Sequence, residues 1–210
     1  MQAIRDPLTG LFNRRYMEET LDREIVRAAR SGSPLAAVMI DIDHFKRYND
    51  MFGHAAADVA LRETAGVIRA ALEGEDVACR FGGEELLVIL PETSLDAATA
   101  RAETIRLAIA GQQIRYRGTP LGRVTASFGV ATVPLHAQNA EGLLRAADEA
   151  LYESKAAGRD RVSVARKVSP TKGASNSDAG SGSGRVVISK RIFRSLNAAA
   201  GPRVKRVRRG

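Results

Sequence analysis

The 210-residue chain has no tryptophan, 5% aromatic residues and a single cysteine, Cys79. One thiol excludes an internal disulfide framework and fits a reducing, cytoplasmic setting. Cys79 lies in an apolar, strand-like run, where a thiol is far more often a small buried hydrophobe than a nucleophile. No apolar stretch has membrane-spanning length, and no segment reads as a signal peptide, so membrane-embedded and exported classes are not expected. Acids are also missing from one region. Residues 165–210 hold 12 Lys and Arg but only one acid, Asp178, giving that region +11 and leaving residues 1–164 at −3. The net +8 of the chain therefore belongs to its tail.

That asymmetry divides the chain into a domain over 1–164 and a tail over 165–210. About 160 residues can bury a large single core. Ser169 to Gly184 is rich in Ser and Gly and reads as a flexible linker, followed by basic runs at Arg185–Arg194 and Arg203–Arg209. Such a tail can make nonspecific contacts with anionic partners, but no aromatic platform accompanies the charge, so no specific nucleic-acid recognition is expected.

Within the domain, helix and strand patterns alternate. Asn13 is placed to cap a helix with Met17, Leu21 and Ile25 inward, ended by Gly32 and Pro34. Leu61, Ala65, Ile68 and Leu72 form a second stripe. A third helix runs from about Ser94 to Gly111, and a fourth follows Asn139 with Leu144, Ala147 and Leu151 on one face and Gly158 at its end. Strands are expected at 35–42, 75–81, 85–90, 113–117, 122–131 and 160–164, forming a mixed sheet flanked by helices.

The densest chemistry lies at Arg80-Phe81-Gly82-Gly83-Glu84-Glu85-Leu86. Two strand-like runs flank the glycines, which are expected to supply the positive φ of a tight hairpin, with both acids at its exit. The buried-type run Leu35–Ile40 likewise ends in Asp41-Ile42-Asp43. If these strand ends are neighbours, Asp41, Glu84 and the Ile42 carbonyl form a hard oxygen set suited to Mg²⁺ and its phosphate ligands. The plainer alternative is that strand ends carry acids because they reach solvent.

These residues resemble the GGDEF domain, the catalytic module of bacterial diguanylate cyclases, with Gly82–Leu86 at its signature. Asp6–Arg15, Asp41–Lys46, Asn49–His54, Val124–Ala131 and Ala147–Arg159 match further family motifs in order. The resemblance implies an α/β (α+β) fold with a ferredoxin-like βαββαβ palm. It also implies a homodimeric enzyme that condenses two GTP into cyclic di-GMP with release of pyrophosphate, using two Mg²⁺ (or Mn²⁺) per active site. Asp41, Ile42 and Glu84 would hold metal, and Glu85 would be a second carboxylate or a base. Gly82 and Gly83, the backbone of His44 and Phe45, and the side chains of Lys46, Lys155 and Arg159 would bind phosphate, the last two as a pair on one helix face. Lys155 and Arg159 near a helix C-terminus would also suit the helix dipole. Asp58 would read the guanine edge by accepting from its two donors, with Asn49 assisting and Leu61 packing on the base. His54 would order the turn.

Two departures stand out. The family's Arg-x-x-Asp product-inhibition motif is Glu73-Gly74-Glu75-Asp76 here, so no product-inhibition site is expected, and Ala57 replaces a glycine beside the guanine reader. Leu86 in place of the signature's aromatic starts a buried strand. Only five residues precede Asp6, so the sensory or dimerising domain that commonly precedes such modules is not expected within this sequence. The competing readings are a noncatalytic GTP-binding module and a nucleic-acid-binding protein acting through its tail.

Overall fold

The computed structural model describes residues 4–167. The linker and basic tail expected from composition lie outside the described residues from 168 onward.

In chain order the elements are β1 (Phe12–Asn13), α1 (Arg14–Ser31), β2 (Leu35–Ile42), α2 (Phe45–Phe52), α3 (His54–Ala70), β3 (Val77–Arg80) and β4 (Glu85–Pro91). They continue with α4 (Leu95–Ala110), β5 (Arg115–Tyr116), β6 (Thr119–Pro120), β7 (Ala126–Val133), α5 (Ala140–Ala156) and β8 (Val162–Val164). The main sheet runs β1-β3-β4-β2-β7-β8, parallel at its two outer pairs and antiparallel between. Its centre, β2-α3-β3-β4-α4-β7 with strand order β3-β4-β2-β7, is the ferredoxin-like βαββαβ palm.

Capping chemistry sets the helix starts. The side chains of Asn13, Ser94 and Asn139 accept from Tyr16, Ala97 and Gly142 N–H, satisfying donors that the first turn leaves open. Gly32 closes α1 in a left-handed conformation that costs glycine nothing.

All eight residues of β2 are buried, as befits the centre of a sheet covered on both faces. Alternation sends Ala36, Val38, Ile40 and Ile42 of β2, Leu86, Val88 and Leu90 of β4, and Phe128 and Val130 of β7 into one core. They meet Ala60, Leu61 and Ile68 of α3 and Ala98, Ala102 and Ile105 of α4. Each large aliphatic side chain buried there contributes about 1.5–3 kcal/mol. The other face receives α1 and α5, and it is this face that carries Asp41. At Gly129 of β7, α5 comes so close that an added Cβ would strike the backbone of Ala147 and Leu151.

Four expectations need correction. The strand expected at 113–117 is only Arg115–Tyr116, paired with Thr119–Pro120 in a separate two-stranded hairpin. The strand expected at 122–131 runs from Ala126 to Val133. Helix α2, which has no counterpart among the expected helices, is an amphipathic helix of 8 residues whose Phe45, Tyr48 and Phe52 pack, partly buried, against the core. Finally, neither Gly82 nor Gly83 takes a positive φ. A Cβ at Gly82 would meet only the tip of the Glu85 side chain folded over the turn, and that carboxylate would have to swing aside.

Candidate active site

The acids meet at one end of the central strands. Asp41 stands opposite Glu85 on β4 and opposite Ser127 on β7, and the Ile42 N–H donates to the Glu84 carbonyl at 3.4 Å. Sheet register alone therefore brings the end of β2 to the Gly82-Gly83 turn. The turn is held from behind by Arg80, which sequence reading left unassigned. Its guanidinium donates to the carbonyls of Gly82 (3.2 Å) and Gly83 (2.8 and 3.1 Å) and to both carboxylate oxygens of Asp6 (3.1 and 3.3 Å). Burial opposes ionisation of Asp6, but hydrogen bonds from Thr9 and the Arg80 charge outweigh it and hold the carboxyl below its usual range. The N-terminal Asp6–Thr9 turn thus fixes the signature turn across the sheet edge.

Asp41 is 5% exposed, and its carboxylate pairs with Lys155 Nζ at 2.8 Å. Burial pushes the Asp41 carboxyl up to about 6; Lys155 pulls it back, and Glu84 and Glu85 push it further up. Asp148, two helical turns before Lys155 on α5, is likewise pushed to about 6 by burial and then by Glu85, with Glu149 and Asp41 adding to the rise against the pull of Lys155. Asp148 belongs to the Ala147–Arg159 motif, which by itself assigns it no role. Its signal was the seven-residue spacing from Lys155, which puts both on one helix face.

The raised carboxyl makes a sign-definite prediction. An acid whose pKa rises from 3.8 to about 6 on folding binds its proton more tightly in the native state, so its contribution to stability falls as pH rises through that window. In metal-free buffer the stability of wild type minus that of Asp41→Asn should fall by on the order of 2–3 kcal/mol between pH 4 and 6.5. Denaturant titrations giving a pH-independent difference would show that Asp41 is not strained by burial.

Among the described residues, no three His, Cys, Asp or Glu side chains are gathered so as to hold a metal ion. The donor set nonetheless fits one. Asp41, Glu84, Glu85 and Asp148 bring hard oxygens and negative charge within range of one another; burial first, and then the neighbouring carboxylates, raise the pKa values of Asp41 and Asp148, a penalty that a divalent cation would relieve.

The neighbouring segments have other chemistry. His44 enters α2 with a left-handed φ of 56°, and the backbone turns there beside Asp43. Gly53, at φ 79°, breaks α2 from α3, so the segment expected as a guanine-binding turn is a helix–break–helix. Asn49 lies within α2: its side-chain amide donates to Phe45 O, and its side-chain oxygen lies 3.0 Å from His54 Nδ1 across the break. Asp58 sits in the first turns of α3, half-buried, with no hydrogen bond or ion pair among the described residues. Leu61 is fully buried among core residues, which leaves it no open face for a base in this structure. Ala57 is also fully buried, so its extra methyl faces the interior and does not crowd a ligand.

Arg159 corrects another expectation. It does not share a helix face with Lys155, because α5 ends at Ala156 and Gly158 turns the chain at φ 113°. Arg159 lies beyond, at φ 64°, in a left-handed turn.

Glu73 and Asp76 are both engaged by Arg101 of α4, the former at 2.8 Å, and the Glu73 N–H donates to Asp76. Cys79 is buried and its thiol is pushed up to about 12 by burial, which removes it as a nucleophile.

The family model described as the diguanylate cyclase GGDEF domain matches residues 3–161. The chain is a GGDEF domain. Diguanylate cyclase DgcP of Pseudomonas aeruginosa is 45% identical over 164 residues, 78% of this chain and 24% of that protein. Response regulator PleD of Caulobacter vibrioides is 44% identical over 161 residues, 76% of this chain and 36% of that one. The GGDEF domain thus spans about a quarter to a third of these relatives. Among solved structures, the GGDEF domain of DgcB from Caulobacter crescentus in complex with c-di-GMP matches with TM-score 0.74 and 34% identity, covering 78% of this chain and 96% of that one. No helix among the described residues is long and apolar enough to cross a membrane.

Proposed function

We propose that this GGDEF domain is a diguanylate cyclase that joins two GTP molecules into cyclic di-GMP, two copies of the chain facing each other across the nucleotides. The observation that carries the reading is the convergence of Asp41, Glu84 and Glu85 at the end of β2 and β4 with Lys155 in contact. That arrangement pairs acids for a cation with a base for phosphate.

In each half-reaction the 3′-oxygen of one GTP forms a bond to the α-phosphorus of the other, the bond to pyrophosphate breaks, and the 3′-proton leaves. Asp41, Glu84 and the Ile42 carbonyl would hold Mg²⁺, which when bound supplies charge stabilisation for the phosphates. The ammonium of Lys155 and the guanidinium of Arg159 bind the triphosphate, with the backbone at His44 and Phe45 adding donors. Lys46 and the exposed backbone of Gly83 would add further phosphate contacts. Glu85, folded over Gly82, faces the reacting oxygens as a second carboxylate or as the acceptor of the 3′-proton. Asp58, free of partners, accepts from guanine N1–H and the exocyclic amine together, and Asn49 assists. Where the family's product-inhibition motif would bind, Arg101 already neutralises both acids, so that place offers cyclic di-GMP little.

Incubating the purified chain with GTP and Mg²⁺ over a range of protein concentrations, with products separated by chromatography, tests the reading. Cyclic di-GMP should form, with a specific activity that rises with protein concentration because two half-sites must meet. GTP binding without product at any concentration would leave the noncatalytic module as the answer.

Base choice gives a second check. Asp58→Ser should bring GTP-over-ATP preference down by about tenfold or more, since a hydroxyl satisfies one edge donor where the carboxylate takes two. Unchanged competition by ATP would remove Asp58 from base reading.

A further inference from the structure

Asp43 is the second acid of the Asp41-Ile42-Asp43 strand end, yet it takes no part in the cation-binding cluster. It is 8% exposed, and every partner it has is donated to it. Its Oδ1 accepts from Ser127 Oγ at 2.7 Å, and its Oδ2 from Thr125 Oγ1 at 2.8 Å and from the backbone N–H of Asp160 at 3.0 Å. The last of these bonds reaches 117 residues along the chain. A buried carboxylate fully satisfied in this way is fixed in position, because each bond lost would leave buried charge uncompensated.

What it fixes is the peptide that follows Arg159. Arg159 and Asp160 occupy consecutive left-handed conformations at φ 64° and 45°, each of which costs a residue with a Cβ about 1–2 kcal/mol. The turn persists because its backbone is held on every side. Arg159 N–H donates to Ser154 O at 3.0 Å, Arg159 C=O accepts from Arg161 Nε at 3.1 Å, and Asp160 N–H is held by Asp43. Asp160, a residue type that tolerates this conformation, is anchored in turn by Arg106 and Arg123. With that backbone fixed, the Arg159 guanidinium makes no ion pair among the described residues and is left for a ligand.

We propose that Asp43 is a positioning residue for the phosphate clamp: it holds the left-handed turn that aims Arg159 at the triphosphate, and so acts on nucleotide affinity through Arg159 alone. This rests on the reading of Arg159 as a phosphate ligand. Its consequence differs from that of a residue that merely keeps the fold, since the effect of removing Asp43 must disappear once Arg159 is gone.

The test is a double-mutant cycle on the full chain, measuring by calorimetry the affinity of the non-reacting guanosine 5′-(α,β-methylene)triphosphate with Mg²⁺. Guanosine monophosphate serves as a ligand that lacks the outer phosphates. Asp43→Asn keeps shape and one acceptor, and should weaken the triphosphate analogue about fivefold to tenfold in the wild-type background but less than twofold beside Arg159→Ala. Monophosphate binding should hardly change. Should Asp43→Asn fail to fold, Thr125→Val removes one donor to the same carboxylate and enters the same cycle, with an expected effect of about threefold. Equal weakening in both backgrounds, or none in either, overturns the positioning role while leaving the function intact. If Arg159→Ala itself leaves analogue affinity unchanged, the clamp assignment fails and the inference falls with it.

Discussion

Replacing Glu84 by Gln is expected to lower cyclic di-GMP formation by about a hundredfold or more while leaving the melting curve in place. The residue sits half-exposed in the turn between β3 and β4, where it contributes little to the core, and its charge is among those that help Asp41 retain its proton. Amide for carboxylate preserves volume and deletes only that charge. The core is untouched by the change, so lost turnover with an intact transition isolates the electrostatic role proposed for the residue. Calorimetric melting beside a chromatographic product assay decides it: near wild-type turnover with an unchanged transition would remove Glu84 from the proposed cation site.

The second large effect is on stability. Gly129→Ala should destabilise the domain by roughly 3 kcal/mol or more, at the upper end of what one methyl does in a packed core. An alanine methyl at 129 meets not a flexible side chain but the backbone of α5 at Ala147 and Leu151. Neither can move without lifting the helix off β7, and the same helix carries Asp148 and Lys155 to the cluster. Activity should therefore fall together with stability. For a domain of this size the midpoint should drop by about 10 °C, and a shift of only a degree or two would show that α5 yields without cost.

The framework was legible because its signals are local. Asn13, Ser94 and Asn139 announce helix starts by chemistry that reaches only three residues ahead, and the buried run of β2 needs no knowledge of its neighbours. The signature turn and Asp41 could be paired as neighbours for the same reason, two strand ends each marked by acids. Helix α2 carries an apolar stripe of Phe45, Tyr48 and Phe52, but at 8 residues it is barely two turns long, so the period repeats too few times to stand out from a turn. Arg159 was misplaced because spacing of four reads as one helix face only while the helix lasts, and Gly158 ends it. Arg80 was passed over because its partner Asp6 lies 74 residues away. Asp43 is the same case: alternation puts it on the face of Asp41, but its bond to Asp160 depends on how β7 and the turn after α5 come together.

The ion pair between Lys155 and Asp41 makes the proposed site a two-ligand switchboard. The ammonium cannot serve a carboxylate and a triphosphate at full strength at once, and the carboxylate cannot serve both an ammonium and a cation. Nucleotide arriving at Lys155 would release Asp41, and a cation arriving at Asp41 would release Lys155, so each should tighten the other by one and the same factor. Inorganic pyrophosphate and Ca²⁺, titrated separately and then together, would reveal that reciprocity after correction for their own complex, and independent affinities would deny it. Before either arrives, the ammonium of Lys155 compensates the one acid of the group that is buried, Asp41, which lets that strand end fold and wait without a metal.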